Sequence, residues 1–336
     1  MTSDKPLLEV VDLRVSLNRG VDVVRGVSFN VHAKKVVSIV GESGSGKSMT
    51  VRAVMGLPPP LASLSGSIKL NGEELVGASE RRLRRLRGSK IGMIFQDPMT
   101  ALNPVIRVGD LIAEAVRLHN PRMSAKQAMQ RAIELLETVA VPQPDVRVRQ
   151  YSHEFSGGMR QRVMIAMAIA NNPDVLIADE PTTALDVTVQ AQIIEVLSNL
   201  RQMFPVGLVL ITHDLGIVAG VADTVVVMYA GKVVETGPVR AIFRGSRHPY
   251  TRGLLSCLPS IEQKAGKLVP IPGNPPSLSA RPSGCPFRPR CPMARDICST
   301  EEPELRTVDD IETACHFAEE LRTFDTSAFQ TTAGSA

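Results

Sequence analysis

The sequence lacks long apolar runs and has few aromatic residues. No stretch approaches the about 18 apolar residues that a transmembrane helix needs, so we expect no membrane span. The N-terminal residues include Asp4, Lys5 and Glu9 and no apolar segment, which predicts a cytosolic protein without a signal peptide. Tryptophan is absent, and three tyrosines and nine phenylalanines offer few rings for stacking on nucleobases. The net charge of +4 is too small to indicate a polyanionic partner.

Cysteine is also scarce. Five cysteines in a cytosolic chain argue against a disulfide framework. Four of them lie close together near the C-terminus, namely Cys285, Cys291, Cys298 and Cys315. Four thiolates suit an iron–sulfur cluster or zinc, although the closely spaced cysteine pairs of zinc ribbons are absent. Four buried thiols without a metal are the alternative, and Cys257 is interpreted as a packed thiol outside the group.

One segment joins a buried strand to a glycine-rich turn. Residues 36–40 are apolar or small and mostly β-branched, which predicts a buried strand. Residues 41–48 fit G-x-x-x-x-G-K-[ST], the phosphate-binding P-loop. In such a loop the backbone N–H groups and the next helix N-terminus bind phosphate. Lys47 would reach the β- and γ-phosphates, and the Ser48 hydroxyl would ligate magnesium. The predicted nucleotide-binding residues here are Gly41, Ser43, Gly44, Ser45, Gly46, Lys47, Ser48 and Met49.

Apolar strands alternate with helical patterns over most of the chain. Residues 7–31 predict antiparallel strands joined near Asn18-Arg19-Gly20. Helical spacing is found in residues 109–142, 157–170 and 187–203, and short apolar strands in residues 91–95, 175–178 and 208–211. Residues 66–72 predict a strand with an Asn-Gly turn, and residues 224–235 a hairpin. This alternation predicts an α/β fold with a largely parallel sheet. Beyond about residue 240 prolines become frequent, which indicates a domain boundary.

Two carboxylates end the apolar strand at residues 175–178. Asp179 can hold magnesium through water, as in a Walker B strand. Glu180 can activate or orient a water molecule on the γ-phosphate. His213 follows the next apolar strand and could donate to the same phosphate.

A second anion site is predicted at the start of a helix. Ser156, Gly157 and Gly158 open this helix, so backbone N–H groups and the helix dipole would face an anion. One γ-phosphate cannot occupy this site and the P-loop of the same subunit. The second site is therefore interpreted as serving the nucleotide of another subunit.

In this order, the motifs of residues 7–240 resemble those of the ATP-binding-cassette (ABC) ATPases. The resemblance implies an α/β, ABC-type P-loop ATPase cassette with a mixed sheet core, an antiparallel β subdomain, a helical subdomain and a small Cys-containing C-terminal extension. It implies that Gln96 acts in catalysis with Glu180 and His213, and ligates magnesium with Ser48 and Asp179. Asp186 would cross the interface between two cassettes packed head to tail. The resemblance departs at Leu17, where the family usually has an aromatic residue that stacks on adenine, and at Met159, where many cassettes have glutamine.

Several stretches resemble more closely the importer ATPases for oligopeptides, dipeptides and nickel. They comprise residues 96–104, 151–162 and 178–190, together with residues 247–251 and 270–273 in the C-terminal region. This resemblance implies ATP hydrolysis that powers peptide import, with ATP, Mg²⁺ and a 4Fe–4S cluster on the four cysteines, which is favoured over zinc. It divides the chain into an ATPase domain at residues 1–245, with a helical subdomain at about 97–165, and an extension at residues 246–336.

The same resemblance implies partners and a location. The partners are two transmembrane permease subunits, a second ABC ATPase subunit, identical or related, and an extracytoplasmic substrate-binding protein. The chain would be peripheral, on the cytoplasmic face of the bacterial inner membrane. Import of nickel or another small solute is the alternative within the subfamily. A soluble ABC ATPase acting on nucleic acid is a more remote alternative, because the chain has neither a long coiled-coil insertion nor a second cassette. We therefore expect no nucleic-acid partner.

Overall fold

A computed structural model describes residues 5–17, 20–258, 271–278 and 280–323. The predicted turn residues Asn18 and Arg19, and Pro270 of the C-terminal motif, lie outside these ranges. The strands are β1 (Leu8–Leu17), β2 (Val21–Val31), β3 (Val36–Val40), β4 (Ser63–Leu70), β5 (Glu73–Glu74), β6 (Ile91–Ile94), β7 (Val175–Asp179), β8 (Gly207–Ile211), β9 (Thr224–Tyr229), β10 (Lys232–Pro238), β11 (Arg306–Val308) and β12 (Ile311–Thr313). The helices are α1 (Lys47–Val54), α2 (Glu80–Leu86), α3 (Pro98–Ala101), α4 (Val108–His119), α5 (Ala125–Thr138), α6 (Pro144–Arg147), α7 (Gly157–Ala168), α8 (Val187–Met203), α9 (Leu215–Val221), α10 (Val239–Gly245), α11 (Pro249–Ser256) and α12 (Ile297–Thr300). Within the described ranges, no helix has the length and apolar character needed to cross a membrane.

The chain forms two compact units. Within the described ranges, the first comprises residues 5–9, 30–36 and 69–211, and the second comprises residues 10–17, 20–29, 37–68, 212–258, 271–278 and 280–323. These units are defined by contacts between residues and do not test the predicted domain boundary at residue 245, which stays a prediction.

The sheet of the first unit consists of parallel strands β6, β7 and β8. Ile91 lies opposite Val175, and Val175 lies opposite Gly207. Every residue of the three strands is buried, as expected for parallel strands covered on both faces. The carboxyl ends of these strands lie at one edge of the sheet, where open α/β sheets carry their ligand sites.

A helical region of the first unit packs on buried apolar faces. Helices α4 and α5 pack against each other and against α7. Helix α5 begins at a capping box. The Ser124 hydroxyl accepts a hydrogen bond from the Gln127 N–H, and the Gln127 side-chain oxygen accepts one from the Ser124 N–H. The helical spacing predicted for residues 109–142 is therefore confirmed, as are the helices at residues 157–170 and 187–203.

The second unit has a mixed sheet. Strand β3 runs parallel to β9, with Val37 opposite Thr224, and β10 folds back antiparallel on β9 as the predicted hairpin. Strand β12 then pairs antiparallel with β10, and β11 with β12. Strands β2, β1 and β4 are adjacent in that order. The predicted Asn-Gly turn is confirmed at the end of β4, where Asn71 and Gly72 have φ of +51° and +85°. The predicted fold class is thus confirmed.

Gly92 in β6 leaves no room for a methyl group. A Cβ there would overlap the Ala168 carbonyl oxygen and lie 3.1 Å from the Leu176 Cδ1. We expect Gly92→Ala to lower the free energy of unfolding by about 1–3 kcal/mol, because backbone must shift to admit the methyl group. Thermal unfolding followed by circular dichroism measures this effect. Gly220→Ala in α9 is the matched control, since its Cβ would meet nothing within 4 Å. An unchanged melting temperature for Gly92→Ala would contradict the packing described.

Candidate functional site

The P-loop connects β3 to α1 within the second unit. Gly41, Gly44 and Gly46 have φ of +151°, +79° and +102°, values that side-chain-bearing residues rarely adopt. A Cβ at Gly41 would overlap the Met228 carbonyl oxygen, and one at Gly46 would lie 2.9 Å from the Val23 carbonyl oxygen. The glycines therefore allow the loop to wrap tightly before α1, and they leave backbone N–H groups at the start of that helix.

Two side chains of the loop suit a bound phosphate. Lys47 is 6% exposed, and its Nζ donates to the carbonyl oxygens of Gly41 and Glu42 over 2.8 and 3.0 Å. The ammonium is thereby held against the loop, over the N-terminus of its own helix. The Ser45 hydroxyl is buried and has no hydrogen-bond partner among the described residues. The residues present thus fit a phosphate chain, with Ser48 and Met49 following in the first turn of α1.

The predicted carboxylates stand at the end of β7 in the first unit. Asp179 is the last residue of the strand and is 4% exposed. Glu180 has a φ of +48°, a left-handed conformation that costs a non-glycine residue about 1–3 kcal/mol. Its N–H donates to the Ile211 carbonyl oxygen at the end of β8, over 3.0 Å. The backbone thus turns sharply after Asp179 and fixes the direction in which Glu180 leaves the strand.

Two donors converge on the Glu180 carboxylate. Gln96 Nε2, just beyond β6, and Thr183 Oγ1 donate to its Oε2 over 3.1 and 2.9 Å. The structure therefore brings together Gln96 and Glu180, which the sequence interpretation grouped by family resemblance. The interpretation missed Thr183, whose only signal in the sequence is a hydroxyl placed three residues after Glu180.

The predicted second anion site is a helix N-terminus in the first unit. Ser156 caps α7, and its Oγ accepts from the Met159 N–H over 3.3 Å. A Cβ at Gly158 would overlap Val189, and one at Gly157 would lie 3.3 Å from the Leu185 Cδ2. The two glycines thus let α7 begin close to the loop that leads into α8.

Two further predicted site residues, Asp186 and His213, lie in loops: Asp186 directly precedes α8, and His213 follows β8. Asp186 caps α8, accepting from the Val189 N–H over 2.9 Å, and Val187 beside it is 81% exposed. His213 belongs to the second unit, like the P-loop, and its side chain is exposed. The preceding residue, Thr212, donates its N–H to the Ile39 carbonyl oxygen of β3 over 3.4 Å. His213 therefore follows backbone that is paired with the strand leading into the P-loop.

The predicted iron–sulfur cluster is wrong. Cys285, Cys291, Cys298 and Cys315 line one cavity, but no group of histidine, cysteine or acidic residues in the described ranges is arranged to hold a metal ion. All four are free cysteines. Burial raises the pKa of the Cys291 and Cys315 thiols to about 12, and it also raises that of Cys285. Protonated thiols of this kind can pack among apolar side chains without a metal ion. Within the described ranges, the same absence of a metal-holding group leaves the zinc alternative without support.

Comparison with known proteins identifies the family. The family described as ABC transporter matches residues 24–183, and the oligopeptide/dipeptide transporter C-terminal region matches residues 234–298. The oligopeptide transport ATP-binding protein of Salmonella typhimurium is 49% identical over 88% of this chain and 89% of its own length. The chain belongs to the oligopeptide/dipeptide branch of the ABC transporter family. The predicted family is therefore confirmed.

This ABC cassette has further relatives. It is 54% identical to the oligopeptide transport ATP-binding protein of Mycobacterium tuberculosis over 92% of its length, but spans only 52% of that longer protein. Two dimeric structures of the bacterial ABC transporter cassette MJ0796 are also similar, and one of them is a post-hydrolysis state with ADP and Pi. The match covers 69% of the present chain and 99% of the MJ0796 chain. Both have a TM-score of 0.61 and 26% sequence identity.

Proposed function

We propose that the chain is the ATP-hydrolysing subunit of an ABC importer for dipeptides or oligopeptides. The single observation that carries the proposal is its 49% identity to the Salmonella typhimurium oligopeptide transport ATP-binding protein over 89% of that protein. The match to the oligopeptide/dipeptide transporter C-terminal region supports the same substrate class. The geometry of the P-loop and of Glu180 supports ATP as the energy source.

The P-loop would bind the triphosphate. Lys47 would turn its ammonium from the carbonyl oxygens of Gly41 and Glu42 to the β- and γ-phosphates, and the N–H groups at the start of α1 would hold the phosphate oxygens. Ser48, Gln96 and Asp179 are the proposed ligands of Mg²⁺, which neutralises charge on the phosphates when bound. Leu17, half-buried at the end of β1, is the proposed apolar contact for adenine.

Glu180 is the proposed catalytic base. Its carboxylate would orient and deprotonate the water that attacks the γ-phosphate. Gln96 and Thr183 both donate to Oε2 and so hold the carboxylate in one rotamer. His213 would donate to the γ-phosphate as charge develops on its oxygens.

A second cassette would complete each ATP site. Two cassettes would pack head to tail, with the ATP on one P-loop facing Ser156, Gly157 and Gly158 of the other, while Asp186 crosses the interface. The dimeric structures of the similar cassette MJ0796 support the pairing of two cassettes. ATP would close the pair and hydrolysis would reopen it, because the γ-phosphate is the group that joins the two surfaces.

The remaining proposed partners are two permease subunits and an extracytoplasmic substrate-binding protein. The chain would dock on the permeases at the cytoplasmic face of the bacterial inner membrane. Helices α3 to α6 and the loop after β6 would carry the motion of the closing cassettes to them. The other subunits would recognise the peptide, and ATP hydrolysis by this subunit would drive its transport.

Reconstituted transport tests the proposal. The chain is co-purified with candidate permeases and a candidate binding protein from the same organism, placed in liposomes, and assayed for uptake of radiolabelled di- and tripeptides. We expect uptake that depends on ATP on the cassette side, and that is lost in Lys47→Ala. Arg295→Gln, which removes an exposed charge outside helices α3 to α6, is the control and should transport normally. Accumulation of nickel with no accumulation of peptide would reject the substrate class.

A further inference from the structure

Arg290, far along the chain, forms an almost buried ion pair with the P-loop. It ends a short 3-10 turn, its side chain is 4% exposed, and both residues of the pair lie in the second unit. Nη1 and Nη2 donate to the two carboxylate oxygens of Glu42 over 2.6 and 2.9 Å. Such a two-point pair fixes the orientation of both groups. Glu42 is the second residue of the P-loop, directly after Gly41.

The guanidinium is itself held in place by its surroundings. Nε donates to the Pro272 carbonyl oxygen over 2.9 Å, and Nη2 to that of Ile271 over 3.3 Å. Nη1 also approaches the Tyr229 hydroxyl at 3.4 Å. Burial lowers the pKa of Arg290, but its hydrogen bonds and the charge of Glu42 raise the pKa above its ordinary value. Arg290 therefore presents a fixed positive charge to the P-loop.

The C-terminal region holds the backbone of Glu42 as well. The Glu42 N–H donates to the hydroxyl of Tyr250 over 2.8 Å, and Tyr250 is fully buried at the start of α11. The Glu42 carbonyl oxygen accepts from Lys47 Nζ. The side chain, N–H and carbonyl of this one residue are thus bonded to Arg290, Tyr250 and Lys47 respectively. A change at Arg290 or Tyr250 would reach the phosphate-binding lysine through Glu42.

The negative charge of Glu42 would affect how strongly the P-loop binds the phosphates of ATP. A carboxylate in a loop that receives a triphosphate opposes the favourable field of Lys47 and the α1 N-terminus. In a partly buried setting this repulsion is screened less than in water. Arg290 neutralises the carboxylate through a close pair that also turns it toward the C-terminal region.

We propose that Arg290 and Tyr250 are positioning residues for the P-loop, and that Arg290 masks the Glu42 charge so that the loop accepts ATP. The proposal rests on the proposed function, since it deepens the account of the same nucleotide site. It assigns to the C-terminal region a direct influence on nucleotide affinity.

A set of charge variants tests the masking. ATP affinity is measured with a fluorescent ATP analogue on the full-length chain carrying Arg290→Gln, Glu42→Gln or both. We expect Arg290→Gln to weaken binding about tenfold, because Glu42 then faces the phosphates unneutralised. Glu42→Gln should bind at least as tightly as the wild type, and the double variant should return to within about threefold of it. Arg290→Lys, which keeps the charge, should rescue most of the loss.

Control variants separate positioning from general damage. Arg295→Gln breaks an exposed ion pair with Glu320 in the same region and should leave affinity unchanged. In the assembled transporter, Arg290→Gln should raise the KM for ATP with little change in kcat, a split that loss of folded protein does not produce. Tyr250→Phe should raise the KM less, since it removes only one hydrogen bond.

Specific outcomes would overturn the proposal. Equal weakening in Arg290→Gln and in the double variant would show that the Glu42 charge plays no part. Weaker binding in Glu42→Gln alone would do the same, and this variant decides the question even if Arg290→Gln does not fold. If the wild type binds ATP and all variants match it, only the positioning proposal fails. If the wild type binds no ATP and Lys47→Ala is indistinguishable from it, the proposed function itself fails.

Discussion

Glu180→Gln is expected to reduce ATP turnover by about 10²–10⁴-fold while leaving ATP binding intact. The amide keeps the size of the carboxylate, and its oxygen can still accept from Gln96 and Thr183, which both donate to Oε2 in the native protein. It cannot take a proton from water at neutral pH. The lost group is therefore the base alone, and phosphate release from the assembled transporter measures its contribution.

The control for this prediction is the same substitution at a distant carboxylate. Glu195→Gln alters an exposed residue of α8 and should turn over at the wild-type rate. Equilibrium binding of ATP should be similar in all three proteins. Hydrolysis by Glu180→Gln at close to the native rate would exclude Glu180 as the base.

Ser156→Ala is expected to lower hydrolysis by on the order of 10²-fold at the ATP site of the partner cassette, and not at the P-loop of its own chain. The Ser156 hydroxyl caps α7 and lies where the partner's γ-phosphate would meet that helix. Its removal takes away one donor to the transition state. A complex with a distinguishable second ATPase and a photoreactive ATP analogue reports the two sites separately.

The loss of a helix cap must be separated from the loss of a phosphate ligand. Ser124→Ala is the matched control. The Ser124 Oγ accepts from a backbone N–H at the start of α5 over 3.3 Å, the same distance as the Ser156 Oγ bond at the start of α7. Both changes should cost about 1 kcal/mol of stability, but only Ser156→Ala should affect hydrolysis. A defect confined to the mutated chain's own P-loop would contradict the head-to-tail arrangement.

Local pattern predicted the elements that carry the nucleotide chemistry. Strands β3, β7 and β8 are short, wholly buried runs, and a parallel strand covered on both faces has this mainly apolar composition. The residues placed at their carboxyl ends were therefore found without the structure. Helix α8 could be delimited at Val187 and Met203, since Asp186 caps one end and the apolar spacing stops at the other.

Contacts between distant residues could not be predicted in this way. Strands β11 and β12 have three residues each, too few for a periodic pattern, and β12 is ordered by its pairing with β10. The bond between Glu42 and Arg290 joins residues 248 positions apart, and nothing local to either one indicates the other.

The spacing of the four cysteines led to a wrong prediction of an iron–sulfur cluster, because spacing does not show how the side chains are arranged in space. A set of thiols close in sequence fits several outcomes, and their surroundings decide between them. Burial raises the pKa of the Cys291 and Cys315 thiols to about 12, and no group of the described residues is arranged to hold a metal ion. Spacing alone contains no information on burial.

The pairing of β12 with β10 also bears on how this protein can be cut and engineered. Glu235 and Thr236 of β10 lie opposite Thr313 and Glu312, so the last described strands cover one side of β10. A shortened chain that ends soon after α10 would bare a row of amide and carbonyl groups on β10. Uncovered strands of this kind recruit one another and drive self-association. We therefore expect chains truncated before β11 to self-associate, and truncations meant to simplify the cassette should retain β11 and β12.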